Sequence, residues 1–232
     1  INNEIIKDNK ASKMLRGVRE SRWPVDQIID AGFALVTLYY GDIVPDYYAG
    51  EKLGVLAIYK QSEYTWGAIG AWAWGLSYVM NYIETDIRID SKKVAVIGHS
   101  RLGKTALWAG ATDKRFAMVV SNNSGCTGAA LSRRKVGERF NILIRIRPYW
   151  YAPNFSKYND KEEHLVVDQH QLIALMAPRP VYVASADKDL YADPEGEFLS
   201  LYYASEVYKL FNLKGLVDMQ MPKVNSPVFS GQ

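Results

Sequence analysis

The stretch VAVIGHSRLGKTALWAGA, residues 94–111, decides the fold class of this 232-residue chain. Its apolar run Val94–Gly98 predicts a buried strand, and a helix-forming run begins at Arg101, directly after a serine. This order places the Ser100 hydroxyl at a sharp corner, which is the layout of a nucleophile elbow. Gly98 leaves room for the tight turn, because it has no Cβ. The backbone N–H of Arg101, at the helix N-terminus, is then placed to donate to a developing oxyanion.

The elbow departs from the general G-x-S-x-G pattern at one position. Leu102 stands where the second glycine belongs, and Gly103 follows one residue later. The alternative interpretation of Ser100 is a helix cap. His99 does not suit the role of its base, because adjacent strand residues point to opposite faces. We expect His99 to be a packed, hydrogen-bonded core residue.

The rest of the chain alternates predicted strands with predicted helices. Further strands are expected at Ala34–Tyr40, Met118–Ser121 and Val181–Ser185. Helices are expected at Arg22–Ala31, Gly67–Glu84, Arg101–Gly110, Asp168–Met176 and Glu197–Phe211. The alternation predicts an α/β fold with a doubly wound, mostly parallel sheet and helices on both faces. Residues 128–158 are expected to form an irregular, function-bearing loop, and residues 1–232 to form a single domain.

Composition argues against several other classes of protein. The net charge is only +3 and the basic residues are dispersed, so nucleic acid is not an expected partner. No run of about 18 apolar residues is present, so a membrane span is not expected. The lone cysteine, Cys126, is expected to be a small buried hydrophobic residue. Neither metal-ligand spacing nor a nucleotide-binding fingerprint is found, which favours chemistry without a metal or cofactor.

Several blocks of the sequence resemble one family of enzymes. GHSRLGK resembles the G-C-S-R-x-G-K signature of glucuronoyl esterases, carbohydrate esterase family fifteen. The blocks NNSGCTGAALSRRKVGE, WYAPNF and VVDQHQLIALMAPRPVYVASADKDLYADPEGEF are similar, in the same order, to its bacterial branch. The resemblance covers nearly the whole chain and implies an α/β-hydrolase fold.

The resemblance also implies an activity, a substrate and a compartment. The expected reaction is cleavage, by acyl transfer through Ser100, of the ester that joins 4-O-methyl-glucuronic acid on xylan to lignin alcohols. Its substrate would be a glucuronoxylan or lignin–carbohydrate ester, and no cofactor is expected. Such a polymer implies a secreted or periplasmic protein. The oligomeric state is left open, with a monomer favoured.

Four more site residues follow from the resemblance. Arg101 would stabilise the oxyanion, and Lys104 and Glu138 would contact sugar hydroxyls. The alternatives are a helix-surface pair for Arg101 and Lys104, and a solvated loop charge for Glu138. Tyr191 stands where the family often has a tryptophan, and a tyrosine can still stack on a pyranose face.

The acid of the expected triad departs from the family pattern. Many members carry a glutamate after the strand that follows the elbow helix, where this chain has Asn123. An amide cannot supply the negative charge that stabilises an imidazolium. Asp189, which follows the strand Val181–Ser185, is the expected replacement, and Asp187 and Asp193 remain alternatives.

The base presents a larger departure. The chain has three histidines, and none follows Asp189, where the α/β-hydrolase fold places its catalytic histidine. His170 and His164 are weaker candidates than a histidine from that region. We therefore expect the chain to be incomplete at both ends, lacking the first strands and the last strand with its histidine loop.

Three alternative functions stay open from the residues alone. The first is an acetyl-xylan esterase or another carbohydrate esterase. The second is a non-catalytic carbohydrate-binding relative, which the missing histidine and Asn123 would favour. A peptidase or lipase of the same fold is the third and has no supporting signature.

Overall fold

The computed structural model describes residues 6–7, 10–18 and 20–216, and the chain divides into two compact units, residues 1–38 and 39–232. The first unit contains a short antiparallel pair and one helix, namely β1 (Ile6–Lys7), β2 (Lys10–Ala11) and α1 (Val25–Asp30). Pro24 precedes α1 and Gly32 follows it with a φ of 83°, which is the expected punctuation of a helix. The helix is shorter than the predicted Arg22–Ala31.

The second unit is built on a three-stranded parallel sheet in the order β3–β4–β5. Its strands are β3 (Ala95–His99), β4 (Met118–Asn122) and β5 (Val181–Ala184). Its helices are α2 (Ala68–Ile83), α3 (Arg101–Thr112), α4 (Phe140–Ile146), α5 (Gln169–Ala174) and α6 (Pro194–Lys209). Three predicted strands and the α/β alternation are confirmed, with element ends that differ by up to three residues.

The predicted strand Ala34–Tyr40 is wrong. Residues 34–39 adopt no regular secondary structure, and Tyr40 begins a short 3-10 turn. A strand requires a hydrogen-bonded neighbour, and no described strand pairs with this segment. Val36 is 52% exposed and Tyr39 is 66% exposed, so these apolar side chains are not buried as a core strand would bury them.

The expected irregular loop, residues 128–158, contains more structure than predicted. Helix α4 lies within it, together with 3-10 turns at Ser132–Arg134, Pro148–Trp150 and Pro153–Tyr158. The short helix is stable because Phe140 and Leu143, three residues apart and thus on one face, are both fully buried.

Two apolar clusters hold the second unit together. The first packs helices against the sheet and includes Val119 and Val183 from the strands and Leu107, Ile173 and Leu201 from the helices. The second includes Trp72, Phe140 and Trp150, and the indole of Trp72 donates a 2.8 Å hydrogen bond to the Val44 carbonyl. The carboxyl ends of the three strands therefore form one rigid edge, where loops from β3, β4 and β5 meet.

Among the described residues, every helix is too short or too polar to cross a lipid bilayer.

Candidate active site

Ser100 occupies a strained corner between β3 and α3. Its φ of 55° and ψ of −123° lie outside the regions that L-residues favour. The corner is fixed on both sides, because the Ser100 N–H donates to the Asn122 carbonyl at 2.8 Å and the Ser100 carbonyl accepts from Gly103 N–H at 2.8 Å. A Cβ on Gly98 would overlap the Leu102 carbonyl group, so only glycine fits there. The predicted strand–turn–helix elbow is thus present.

Arg101 is the first residue of α3 and is anchored by a buried carboxylate. Its guanidinium pairs with Asp46 and lies 5.3 Å from the centre of the Trp150 ring. Asp46 also accepts hydrogen bonds from the Tyr149 hydroxyl at 2.9 Å and the Trp150 indole at 2.8 Å. Burial alone would raise the pKa of Asp46, but bonds from Trp150 and Arg101 outweigh it and lower that pKa.

Lys104 is buried beneath the loop that follows β4. Its ammonium donates to the carbonyls of Ser124 at 2.5 Å and Cys126 at 2.6 Å, and to the Glu138 carboxylate at 3.1 Å. These bonds occupy all three ammonium donors. A sugar hydroxyl could reach Lys104 only by displacing one of them, whereas the Glu138 carboxylate lines the cleft described below.

Asp189 follows β5 and is held by the side chain of Asn123. The Asn123 amide nitrogen donates to Asp189 Oδ2 at 2.9 Å, and the amide oxygen accepts from the Ala186 N–H at 2.9 Å. Asn123, which stands where many family members have a glutamate, therefore contacts Asp189, the acid expected to replace that glutamate.

The alternative acids occupy other environments. Asp187 is exposed. Asp193 is buried, accepts from the Gly196 N–H at 3.1 Å as the cap of α6, and pairs with Arg134 at 2.9 Å. Its carboxylate is thus committed to the structure of the loop and the helix.

The expectation that His99 packs in the core is wrong. Along β3 exposure alternates with the strand period, so Val96 and Gly98 are buried whereas Ile97 and His99 are exposed. His164 is exposed, and its Nε2 lies 3.6 Å from the Glu163 carboxylate, whereas the ring of His170 packs against the ring of Tyr203. Of the three histidines, His99 alone lines the cleft.

One small cleft brings most of the expected site residues together. Its volume is about 70 Å³, and its walls include Ser100, Glu138, Asp189 and Tyr191. The remaining lining residues are His99, Asn123, Ser124, Gly125 and Ala192. Arg101 and Lys104 lie outside this lining set. Within the described ranges, no group of three or more His, Cys, Asp or Glu side chains is placed to hold a metal ion.

Glu197 of α6 binds the loop that carries the cleft residues Ser124 and Gly125. No motif in the sequence indicates this role. Its fully buried carboxylate accepts from the N–H groups of Ser124 at 2.8 Å and Gly125 at 2.9 Å, and from the Ser185 hydroxyl. Burial raises the pKa of Glu197, and these hydrogen bonds only partly oppose it. The loop after β4 is thus clamped between Glu197, which binds its N–H groups, and Lys104, which binds its carbonyls.

Buried acids also anchor the loop that carries Glu138. Asp168 caps α5 and accepts from the Ser132 N–H at 2.8 Å, and Arg134 binds Asp193. Asp168 and Ser132 are 36 residues apart in the sequence, and Asp193 and Arg134 are 59 residues apart. The only local sequence signal among them is the D-x-x-Q capping pattern at the start of α5.

The chain matches a known protein family along most of its length. The family model described as "Glucuronyl esterase, fungi" matches residues 18–212. A carbohydrate esterase from an unknown prokaryotic organism is 49% identical over 231 residues, which cover 97% of this chain and 53% of that protein. A 4-O-methyl-glucuronoyl methylesterase from Hypocrea jecorina is 32% identical over 169 residues, 68% of this chain and 37% of the relative. The chain thus spans about half the length of the first relative and less of the second.

Solved structures show the same relationship. A glucuronoyl esterase from Solibacter usitatus superposes with a TM-score of 0.87 at 45% identity, covering 96% of this chain and 59% of that one. A promiscuous CE15 esterase from a marine bacterial metagenome gives a TM-score of 0.86 at 47% identity, covering 97% and 58%. The predicted family and fold are confirmed: the chain belongs to the glucuronoyl esterases, carbohydrate esterase family 15, which have the α/β-hydrolase fold.

Proposed function

We propose that the protein is a serine esterase that cleaves 4-O-methyl-glucuronoyl esters by acyl transfer through Ser100. The observation that carries this proposal is the Ser100 hydroxyl at a rigid strand–helix corner, in one cleft with Asp189, Glu138 and Tyr191. The family to which the chain belongs supports the same reaction, and the name of the relative from Hypocrea jecorina states the same ester.

The proposed chemistry begins with attack of Ser100 Oγ on the uronoyl carbonyl carbon. A general base takes the hydroxyl proton, Asp189 is the acid proposed to orient that base, and the carbonyl oxygen becomes an oxyanion. The backbone N–H of Arg101, at the start of α3, donates a hydrogen bond to this oxyanion. The guanidinium of Arg101 adds a positive charge that stabilises it. Collapse of the intermediate expels the alcohol with the proton and leaves an acyl-enzyme, which water hydrolyses to the uronic acid and free serine.

The proposed substrate is defined by the residues around the sugar position. Glu138 is a carboxylate acceptor for sugar hydroxyls, and its orientation is fixed by Lys104. Tyr191 is 54% exposed and lines the same cleft, so its ring is accessible to a pyranose face. We propose glucuronoxylan or a lignin–carbohydrate ester as the polymer that carries this sugar.

A comparison of esters tests the function. The whole protein is incubated with benzyl glucuronate ester, glucuronate methyl ester and acetylated xylan, and the released alcohol or acetate is measured. We expect preferred turnover of the two uronate esters. Ser100→Ala should lower kcat by at least about 1000-fold, because removal of a serine nucleophile eliminates the covalent route. The exposed Ser21→Ala variant should retain full activity.

Three other results would count against the proposal. Preferred release of acetate would indicate an acetyl-xylan esterase with the same nucleophile. Sugar binding without turnover would indicate a carbohydrate-binding relative. Undiminished turnover by Ser100→Ala would exclude Ser100 as the nucleophile.

A further inference from the structure

Asn123 makes a two-sided contact that joins the loops after β4 and β5. Its amide oxygen accepts from the Ala186 N–H at 2.9 Å, and its amide nitrogen donates to Asp189 Oδ2 at 2.9 Å. The orientation of the amide is determined by these partners, because a backbone N–H only donates and an ionised carboxylate only accepts. Reversing the amide would break both bonds at once.

The backbone of Asn123 is fixed as firmly as its side chain. Its N–H donates to the Ala184 carbonyl at 2.8 Å, and only 9% of the residue is exposed. Its φ of 43° lies in the left-handed region, which asparagine enters more readily than most residues. The amide is therefore presented to Asp189 from a rigid support.

We infer that Asn123 is a positioning residue, which fixes the Asp189 carboxylate in the orientation that a histidine base requires. This inference rests on the proposed function. A catalytic carboxylate must keep its charge and hold one orientation, because it binds the imidazole N–H and stabilises the imidazolium. A neutral amide donor meets both needs: it binds Oδ2 without neutralising the carboxylate, and Oδ1 remains available to the imidazole.

The chemistry of the side chain explains why an asparagine suits this position. A second carboxylate at 2.9 Å from Asp189 would repel it, and one of the two would have to take up a proton. A lysine would form an ion pair and compete with the imidazolium for the same charge. The amide avoids both costs, so Asn123, which follows β4, supports the acid Asp189 in the loop after β5.

Replacement of Asn123 by glycine tests the inference without straining the backbone, since glycine adopts a positive φ freely. Steady-state kinetics on benzyl glucuronate ester are measured for wild type, Asn123→Gly, Asp189→Asn and the double variant. We expect Asn123→Gly to lower kcat by roughly 10- to 100-fold with little change in KM, because the loss is one of orientation. Asp189→Asn should cost more, and the double variant should match Asp189→Asn alone.

The matched control is Asn212→Gly, an exposed asparagine with a φ of 59°, which should leave kcat unchanged. Thermal unfolding of each variant confirms that the active fraction is folded. If wild type is active, a normal kcat in Asn123→Gly would overturn the inference. Losses of kcat that multiply fully in the double variant would also overturn it. Either result would leave the proposed function standing. A wild type without Ser100-dependent turnover would overturn the proposed function and the inference with it.

Discussion

The proposed nucleophile, Ser100, has a strained backbone conformation. Ser100 adopts a φ of 55°, a conformation that costs on the order of 1–3 kcal/mol for a residue with a side chain. Hydrogen bonds from both neighbouring elements hold it there. The strained turn lifts the hydroxyl above the strand ends, where it meets the cleft.

Gly98 makes this turn possible, and its replacement should be costly. A Cβ at this position would overlap the Leu102 carbonyl of the following helix. We expect Gly98→Ala to lower the free energy of unfolding by about 2 kcal/mol or more, because the helix must shift to make room. Urea unfolding followed by circular dichroism measures this change.

The control for this substitution is Ala95→Gly in the same strand, at an exposed position. It should cost only about 0.5–1 kcal/mol, the usual cost of glycine in a strand. A Gly98→Ala protein as stable as wild type would show that the elbow has room for a Cβ at this position.

Single residues with local causes could be predicted from the sequence. Gly98 follows from the geometry of a tight turn, and Cys126 is indeed a buried thiol whose pKa burial raises to about 12. His99 could not be predicted correctly, because an apolar strand indicates burial without indicating which face of that strand is covered.

Contacts between elements fix the charged groups around the elbow. Arg101 at the start of α3 is paired with Asp46, which lies 55 residues earlier in a loop. Tyr149 and Trp150 bind the same carboxylate from a third segment. No spacing rule predicts a pair so far apart, so the anchor of Arg101 could not be read from the sequence.

The pairing of Asp46 predicts how stability depends on pH. Its pKa is lowered in the folded protein, so stability from Asp46 is present above the ordinary aspartate pKa of about 4. That stability is lost as the pH falls through the lower pKa of the folded state. We expect Asp46→Asn to lower the free energy of unfolding at neutral pH by about 1–3 kcal/mol, since its amide would face the Arg101 donors.

The difference between wild type and Asp46→Asn should begin to close below pH about 4, where Asp46 of the unfolded chain takes up a proton, and should be gone once the pH is below the lower pKa of Asp46 in the folded protein. Urea unfolding across a series of pH values measures it. Asp42→Asn, at an exposed position nearby, is the matched control and should match wild type throughout. A difference that stays constant at low pH, or that is missing at neutral pH, would contradict the role of Asp46.

At the scale of the whole molecule, the strands and helices of the sheet could be predicted from the sequence more readily than the buried contacts that hold the cleft. The parallel strands β3, β4 and β5 and the helices between them agree with the predicted alternation of strands and helices. The run at Ala34–Tyr40 failed because composition alone cannot show that a pairing partner exists. The bond of Asp168 to Ser132 and the bonds of Glu197 to the loop after β4 could not be predicted either, because these partners come together only when the chain is folded.

The proposed site is thus assembled at the carboxyl edge of one parallel sheet, where open α/β sheets place their ligand sites. Ser100 comes from the end of β3, Asn123 from the end of β4 and Asp189 from the loop after β5. The role proposed for Ser100 at this edge is that of the nucleophile.

Covalent trapping tests this role of Ser100. The whole protein is treated with a fluorophosphonate, which reacts with activated serines, and the adduct is located by peptide mass analysis. We predict a single adduct on the peptide that contains Ser100, and none in Ser100→Ala. An adduct on another residue, or equal labelling of Ser100→Ala, would show that Ser100 is not the nucleophile.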